Sequence, residues 1–365
     1  MMSTALPAVL SAFRRRAKVV VPVEVTEPST AVLFGYTDSE LACLHVSLIV
    51  LLLVAGFLLG MPATTTKKLK AGKAEHPAGW WPLVDLWCRS VEWAQRTLCY
   101  EIGPPLVKAK FVIDTMKGLT PLVFTALMVR HDNWSHGAFT YLALHGSYGA
   151  LWLLKSQAFP DPRWEARLTA AGVLVSSSWM ALYWSGGVSL IVLRTPVSNG
   201  RAALATSMYV LGVVLMLGAD GQRFFVCALR EGLTLTLTLT LTLTLTRCAR
   251  RKGLISDGWY ARTRNPNYLG EMLLYASFGL LGQSTLMWAH LLVTWSTTFL
   301  PNMWWKERSL MCKPGWVEWA SRSGFLLPAL LPGGPALSPA PARPPTSPLA
   351  KRAKASPKRT PSSKR

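Results

Sequence analysis

Charge is scarce in this chain of 365 residues: 16% are Asp, Glu, Lys or Arg, while half are hydrophobic and the mean hydropathy is +0.27. An ordinary soluble domain carries about a quarter charged residues, so that class is excluded and an integral membrane protein is expected. Acids are scarcer still, 18 against 39 Lys and Arg, which gives a formal net charge of +21. Eight of the cations (Arg343, Lys351, Arg352, Lys354, Lys358, Arg359, Lys364 and Arg365) lie after Pro328 with no acid among them. Beside a membrane such a basic tail marks the cytoplasmic side, and no nucleic-acid partner is expected from it. Cysteines are few. Cys43, Cys88, Cys99, Cys227, Cys248 and Cys312 form no C-x-x-C pair and have no histidines at ligand spacing, so neither a zinc site nor a disulfide framework is indicated, and free thiols are expected. Aromatic rings are plentiful, with 16 Trp and 9 Tyr, which suits bilayer interfaces but would equally suit a large core.

The long apolar runs decide between those two. LACLHVSLIVLLLVAGFLLGM, 41–61, has about the twenty residues a membrane span needs. Lys67, Lys68, Lys70 and Lys73 follow it and place its C-terminal end in the cytoplasm. Further spans are expected at 118–129, 137–154, 168–193, 203–219, 268–281 and 286–300, the last two separated by Gly282, Gln283 and Ser284. The expectation is an all-α multi-pass membrane protein of seven helices with the 220–267 loop and the tail both cytoplasmic. Residues 1–40, with Arg14, Arg15, Arg16 and Lys18 ahead of the first acid, have the composition of a transit peptide or of a disordered N-terminus. The membrane domain is expected over 41–328. From 329 to 365 the chain is Pro, Ser, Ala and basic residues, too poor in apolar surface to fold.

Within the 220–267 loop stands LTLTLTLTLTLTLT, Leu233 to Thr246. Its period of two is that of a strand, but no second strand of similar quality is present to pair its backbone, and lipid would not tolerate it alone. It is expected to be an insertion, spanning about 231–250 with its flanks, in a cytoplasmic loop whose lengthening costs little closure entropy.

The densest polar group is DGWYARTRNPNYLGEMLLY, 257–275. Arg262, Arg264, Asn265, Asn267, Tyr268 and Glu271 crowd at the mouth of an apolar helix, with Pro266 fixing the turn. Glu271 falls one turn inside the span, on the face of Asn267, with Arg262 or Arg264 as its expected partner. An ionisable group at that depth is a functional candidate; an interfacial anchor made of lipid-binding arginines is the alternative.

R-N-P-N-Y-L-G-E, the helical pair after it, and NMWWKERSLMCKPGWVEWASRSGFLLP together resemble the C-terminal domain of the steroid 5-alpha-reductase family and its membrane relatives. LMLGADGQRFF and KGLISDGWY are similar to its aspartate-bearing helix end and glycine-led loop; the likeness runs over roughly 203–328, with weaker matches in FVIDTMKG and HGSYGALWLLK. The resemblance implies a bundle of about seven helices that admits NADPH from the cytoplasmic side and reduces a polarised C=C bond of a sterol or other lipid. It implies Arg262, Arg264 and Arg223 as phosphate ligands, Asn267 and Glu271 around the nicotinamide-ribose half, Asp220 at another polar part of the cofactor, and Asn265 and Tyr268 as further cofactor-binding residues. Trp319 stands where relatives often carry tyrosine, and the Leu-Thr run enters a loop expected to meet the nucleotide.

A general acid is still required. His145 and Tyr148 lie one turn apart on an apolar helix with Lys155 beyond, and Tyr183 is a further donor; a packed helix with a satisfied histidine and close-approaching glycines explains the same residues structurally. No metal is expected. The rival function is an S-adenosylmethionine-dependent membrane methyltransferase of the isoprenylcysteine or phospholipid type, whose Arg-His-Pro-x-Tyr-x-Gly turn differs here by Asn265 and by Glu271 after Gly270; a non-catalytic membrane scaffold is the third. The endoplasmic reticulum is the membrane the resemblance implies, and the basic N-terminus leaves a plastid or mitochondrial membrane open.

Overall fold

The computed structural model describes residues 36–58, 81–230 and 253–329. Residues 1–35, the lysines after the first expected span, the Leu-Thr run and the chain beyond 329 lie outside the described residues, so the expectations made for them are not addressed.

The elements of the described chain are helices apart from two two-residue strands. Helix α1 (Asp38–Leu58) matches the first expected span. Helix α2 (Trp81–Arg96) was not expected: its mixed polar and apolar sequence gives no long hydrophobic run. It continues into a π turn, Thr97–Glu101. Helices α3 (Ala109–Arg130) and α4 (His136–Ala158) lie side by side, the latter capped by Ser135, whose side chain accepts from the Ala138 N–H. Gly146 and Gly149 of α4 face Pro121 and the Lys117 carbonyl of α3; a Cβ on Gly149 would collide with that carbonyl, and one on Gly146 would lie tight against the Pro121 ring. The close-packing role expected of the GSYG glycines is therefore real.

Strands β1 (Val107–Lys108) and β2 (Arg167–Leu168) pair antiparallel, Val107 opposite Leu168, and clip the turn after α4 against the start of α3. The stretch 168–193, expected as one span, is instead two helices, α5 (Ala170–Leu182) and α6 (Ser185–Val192). The Ser185 hydroxyl donates to the Leu182 carbonyl at the break, and Gly187 beyond it sits against the rings of Phe124 and Tyr141, which leave no room for a side chain.

Helix α7 (Asn199–Arg230) and helix α8 (Pro266–Gly282) make the most extensive helix pair. They cross at Gly212 and Gly270, each of which would put a Cβ 2.6 Å from the other's carbonyl oxygen. Only glycine permits that approach. The expected break after α8 is present: Gln283 takes a left-handed conformation (φ 52°) and Ser284 caps α9 (Thr285–Thr294) through the Met287 N–H. The chain then passes through a π turn, Trp295–Phe299, into α10 (Leu300–Met311), and α11 (Trp316–Arg322) follows. Pro301 can make no hydrogen bond to the carbonyl four residues back. That carbonyl, Thr297 O, accepts from Gln95 Nε2 at 3.0 Å, and Ser296 O accepts from Trp87 Nε1 at 2.9 Å, so α2 is bound where the α9–α10 ladder is interrupted.

Among the described residues two helices, Ala109–Arg130 and Asn199–Ala228, are long and apolar enough to cross a membrane. The core gathers Phe124, Tyr141, Tyr148, Leu274, Phe278 and Met287 from α3, α4, α8 and α9.

Candidate functional site

A cavity of about 700 Å³ opens among α1, α2, α3, α5, α8 and the π turn after α9. Most of its wall is apolar, from Leu48, Ile49, Val91, Leu174 and Trp179 among others. One end is charged. There α4 contributes Lys155, α7 contributes Asp220 and Arg223, α8 contributes Asn267, Tyr268 and Glu271, and the turn after α4 contributes Asp161 and Arg163.

These groups form one network. Lys155 Nζ lies 2.5 Å from Asp220 Oδ2 and 4.0 Å from Glu271 Oε1. Arg223 reaches Asp161 at 3.5 Å and Asp220 at 3.7 Å, while Arg163 pairs with Asp161 at 2.7 Å. Burial pushes the Asp161 carboxyl up, but the hydrogen bonds and charge of Arg163, with Arg223 behind, bring it down to about 2. Burial opposes the charge on Arg163 as well, and Asp161 and Tyr268 outweigh it and hold the guanidinium more firmly protonated than usual. Asn267 Oδ1 is buried with no hydrogen-bond partner. An orphaned acceptor in a cavity wall is unusual in a folded protein and indicates a missing donor.

Next to the charged end, Lys117 of α3 projects between two phenols. Its Nζ donates to Tyr148 Oη at 2.8 Å and to Tyr275 Oη at 2.5 Å, and the phenol oxygens are 3.0 Å apart. The ammonium also lies 4.1 Å from the Tyr148 ring centre and 4.3 Å from that of Trp152. Lys117, Tyr183 and Tyr275 face the cavity, whereas Tyr148 lies behind them, against a void of about 10 Å³ that has room for roughly one water. Tyr183 stacks on Tyr275 with ring centres 4.5 Å apart.

Of the sequence-expected residues, the structure brings Asp220, Arg223, Asn267, Tyr268, Glu271 and Tyr183 to this cavity, with Tyr148 one contact away. His145 is stacked on Phe278 at 4.1 Å, bonded to Tyr141 Oη at 3.2 Å, and absent from the cavity wall. Arg262, Arg264 and Asn265 are not brought there either. Arg264 is bound to Glu307 at 2.8 Å and to the Ser323 carbonyl; Asn265 Nδ2 donates to Phe325 O at 2.8 Å; Arg262 reaches Ala329 O at 3.4 Å. The expected Glu271–arginine pairing is thus corrected: Lys155 is the partner of Glu271. The reason is the helix start. Pro266 opens α8, and the side chains before it lie against the segment after α11 while those after it turn into the bundle. Trp319, 1% exposed, donates its indole N–H to Tyr260 O at 2.8 Å, so no hydroxyl is needed there.

Asp161, Arg163, Lys117 and Tyr275 went unrecognised in the sequence. Asp161 and Arg163 lie in a short Pro-flanked turn with no motif, and Tyr275 reads as one more apolar-face aromatic. Lys117 alone carried a signal, a cation inside an apolar helix. Among the described residues no group of His, Cys, Asp and Glu is arranged to hold a metal ion.

The family model described as "Protein of unknown function (DUF1295)" matches residues 107–306, more than half of the chain, and the chain belongs to that family. Neither the curated proteins nor the solved structures gave a match.

Proposed function

We propose that this protein is a membrane-embedded reductase that uses NADPH to reduce a C=C bond of a sterol or other lipid. The observation that carries the reading is the composition of the cavity: an apolar body large enough for a lipid, closed at one end by charged residues and by the unpartnered Asn267 oxygen. The donor set fits the cofactor. Asn267 Oδ1 would accept from a carboxamide N–H, Glu271 and Asp220 would accept from ribose hydroxyls, and the Arg163 and Arg223 guanidiniums would bind phosphate oxygens in pairs. The resemblance of the R-N-P-N-Y-L-G-E run to steroid 5-alpha-reductases points the same way.

Bound NADPH would supply a hydride. The chain's own part is to hold the lipid in an apolar wall, to exclude water, and to provide a proton. Tyr275 lines the cavity, and its hydroxyl would release its proton to the reduced substrate. The Lys117 ammonium, 2.5 Å away, then stabilises the phenolate and can re-protonate it, with Tyr148 fixing the amine from the other side. Tyr183, stacked on Tyr275, orients the ring. His145 has a packing role in this scheme.

The test is thermal unfolding of the full chain purified in detergent, with NADPH, NADH or S-adenosylmethionine, since a ligand that binds only the folded state raises its stability. NADPH should protect. Selective protection by S-adenosylmethionine would replace the reductase with a methyltransferase, and silence with all three would favour a scaffold.

A further inference from the structure

His45 and Thr294 are polar residues of the cavity wall that the proposed reaction does not use. His290 and Thr294 stand one turn apart on α9, 0% and 2% exposed. His290 Nδ1 lies 3.4 Å from Nε2 of His45 on α1. His290 Nε2 is buried without a hydrogen-bond partner, and Thr294 Oγ1 is buried with only the Tyr183 phenol beside it. His45 and Thr294 form part of the cavity wall, and two other wall residues, Trp179 and Tyr183, enclose His290 with ring centres 5.0 and 4.5 Å from its own.

A packed helix rarely leaves a ring nitrogen orphaned, because it forfeits its bond to water on burial. The place of His290 directly behind His45 and Thr294 of the cavity wall indicates what would satisfy it. We infer that His45, His290 and Thr294 form a subsite for an uncharged oxygen, a hydroxyl or a carbonyl, on the lipid that occupies the cavity. The subsite is separate from the oxygen or carbon served by Tyr275, and it rests on the reading above only in taking a lipid as the occupant. The chemistry of the patch sets the class of group. It offers imidazole nitrogens and a hydroxyl, which match a neutral oxygen; a carboxylate or phosphate would be desolvated there. In the His45–His290 contact one of the two facing nitrogens must carry the hydrogen, so His290 Nε2 is an acceptor or a donor according to the tautomer. The Thr294 hydroxyl can be either. A ligand hydroxyl suits one arrangement and a ketone the other.

The experiment measures binding to the full chain in detergent by two pairs of probes, each pair differing by one oxygen: testosterone against androst-4-en-3-one, and hexadecan-1-ol against hexadecane. The oxygenated member of at least one pair should bind about tenfold more tightly, a difference of about 1.4 kcal/mol. Thr294→Val, which keeps the shape, and His45→Phe, at a half-buried position, should each reduce that preference to about twofold or less while NADPH protection stays as in the wild-type protein. Equal binding within both pairs, no binding of any probe, or a preference that survives both substitutions overturns the subsite. Loss of NADPH protection in the wild-type chain would remove the reductase reading without touching this comparison.

Discussion

The two halves of the R-N-P-N-Y-L-G-E run, both bearing polar side chains, have opposite fates. Arg264 and Asn265, before the helix start, are consumed in holding the C-terminal segment: an ion pair to Glu307, bonds to Ser323 and Phe325, and Lys306 Nζ donating to Arg264 O and Asn265 Oδ1 at 2.8 and 3.1 Å. Asn267, Tyr268 and Glu271, after it, face the cavity, and Asn267 keeps an oxygen unpaired. The polar cluster therefore divides into groups that fix the fold and groups that face the cavity, and the partners each side chain makes distinguish the two.

The sharpest way to break this comparison is at Arg264. Its side chain and that of Glu307 are 6% and 2% exposed, so Arg264→Met leaves a buried carboxylate without its cation and should cost about 3–5 kcal/mol of stability, seen as a large fall in unfolding temperature. Adding Glu307→Leu should recover most of the loss; if the single variant is as stable as wild type, Arg264 is not structural. Glu271→Gln is the counterpart. It should unfold near the wild-type temperature and bind NADPH about tenfold more weakly, about 1.4 kcal/mol, and wild-type affinity would take Glu271 out of the cofactor site.

Smaller is the pH effect of Lys306, which lies beyond the last expected apolar span. Burial, then the positive charge of Arg223, brings its amine down to about 7 from 10.5. A neutral amine still has two N–H groups for its two acceptors. Between pH 7 and 10.5 the unfolded chain binds the proton that the folded chain does not, so this group makes stability rise with pH across that window. Unfolding of Lys306→Met should show a flatter pH dependence than wild type, and parallel profiles would refute the shift. The smallest effect is expected from deleting Leu233 to Thr246: shortening a loop changes closure entropy by only about 0.6 kcal/mol per halving, and NADPH protection should be unchanged. Lost protection would show that the repeat has been recruited to the site.

Much of the helical plan was legible in apolar runs and punctuation. The hinge at Gly282, Gln283 and Ser284 is where glycine and a capping serine put it, and the GSYG glycines signalled the close approach of α4 to α3. Three features were not legible. Helix α2 has no long apolar run because its anchors are single side chains, Trp87 and Gln95, bound to carbonyls more than two hundred residues away. The break at Tyr183 and Trp184 follows from a local serine bond and from rings packed over Gly187, and composition does not record such packing. The partner of Glu271 was sought nearby in sequence, although an α-helical bundle brings Lys155 as close as any neighbour.

The sequence by itself determined that the chain is helical and apolar, roughly where several of its helices lie, and which polar residues are costly enough to require an explanation. Those properties are local: hydrophobic length, glycine and proline placement, and the price of burying a charge. Only the tertiary structure decided that Arg264 belongs to Glu307, that Lys117 joins Tyr148 to Tyr275, and that Asn267 keeps an oxygen free. Pairing is a matter of distance between elements, set by how α3, α4, α7 and α8 pack, and residues far apart in the chain leave no mark on one another's sequence.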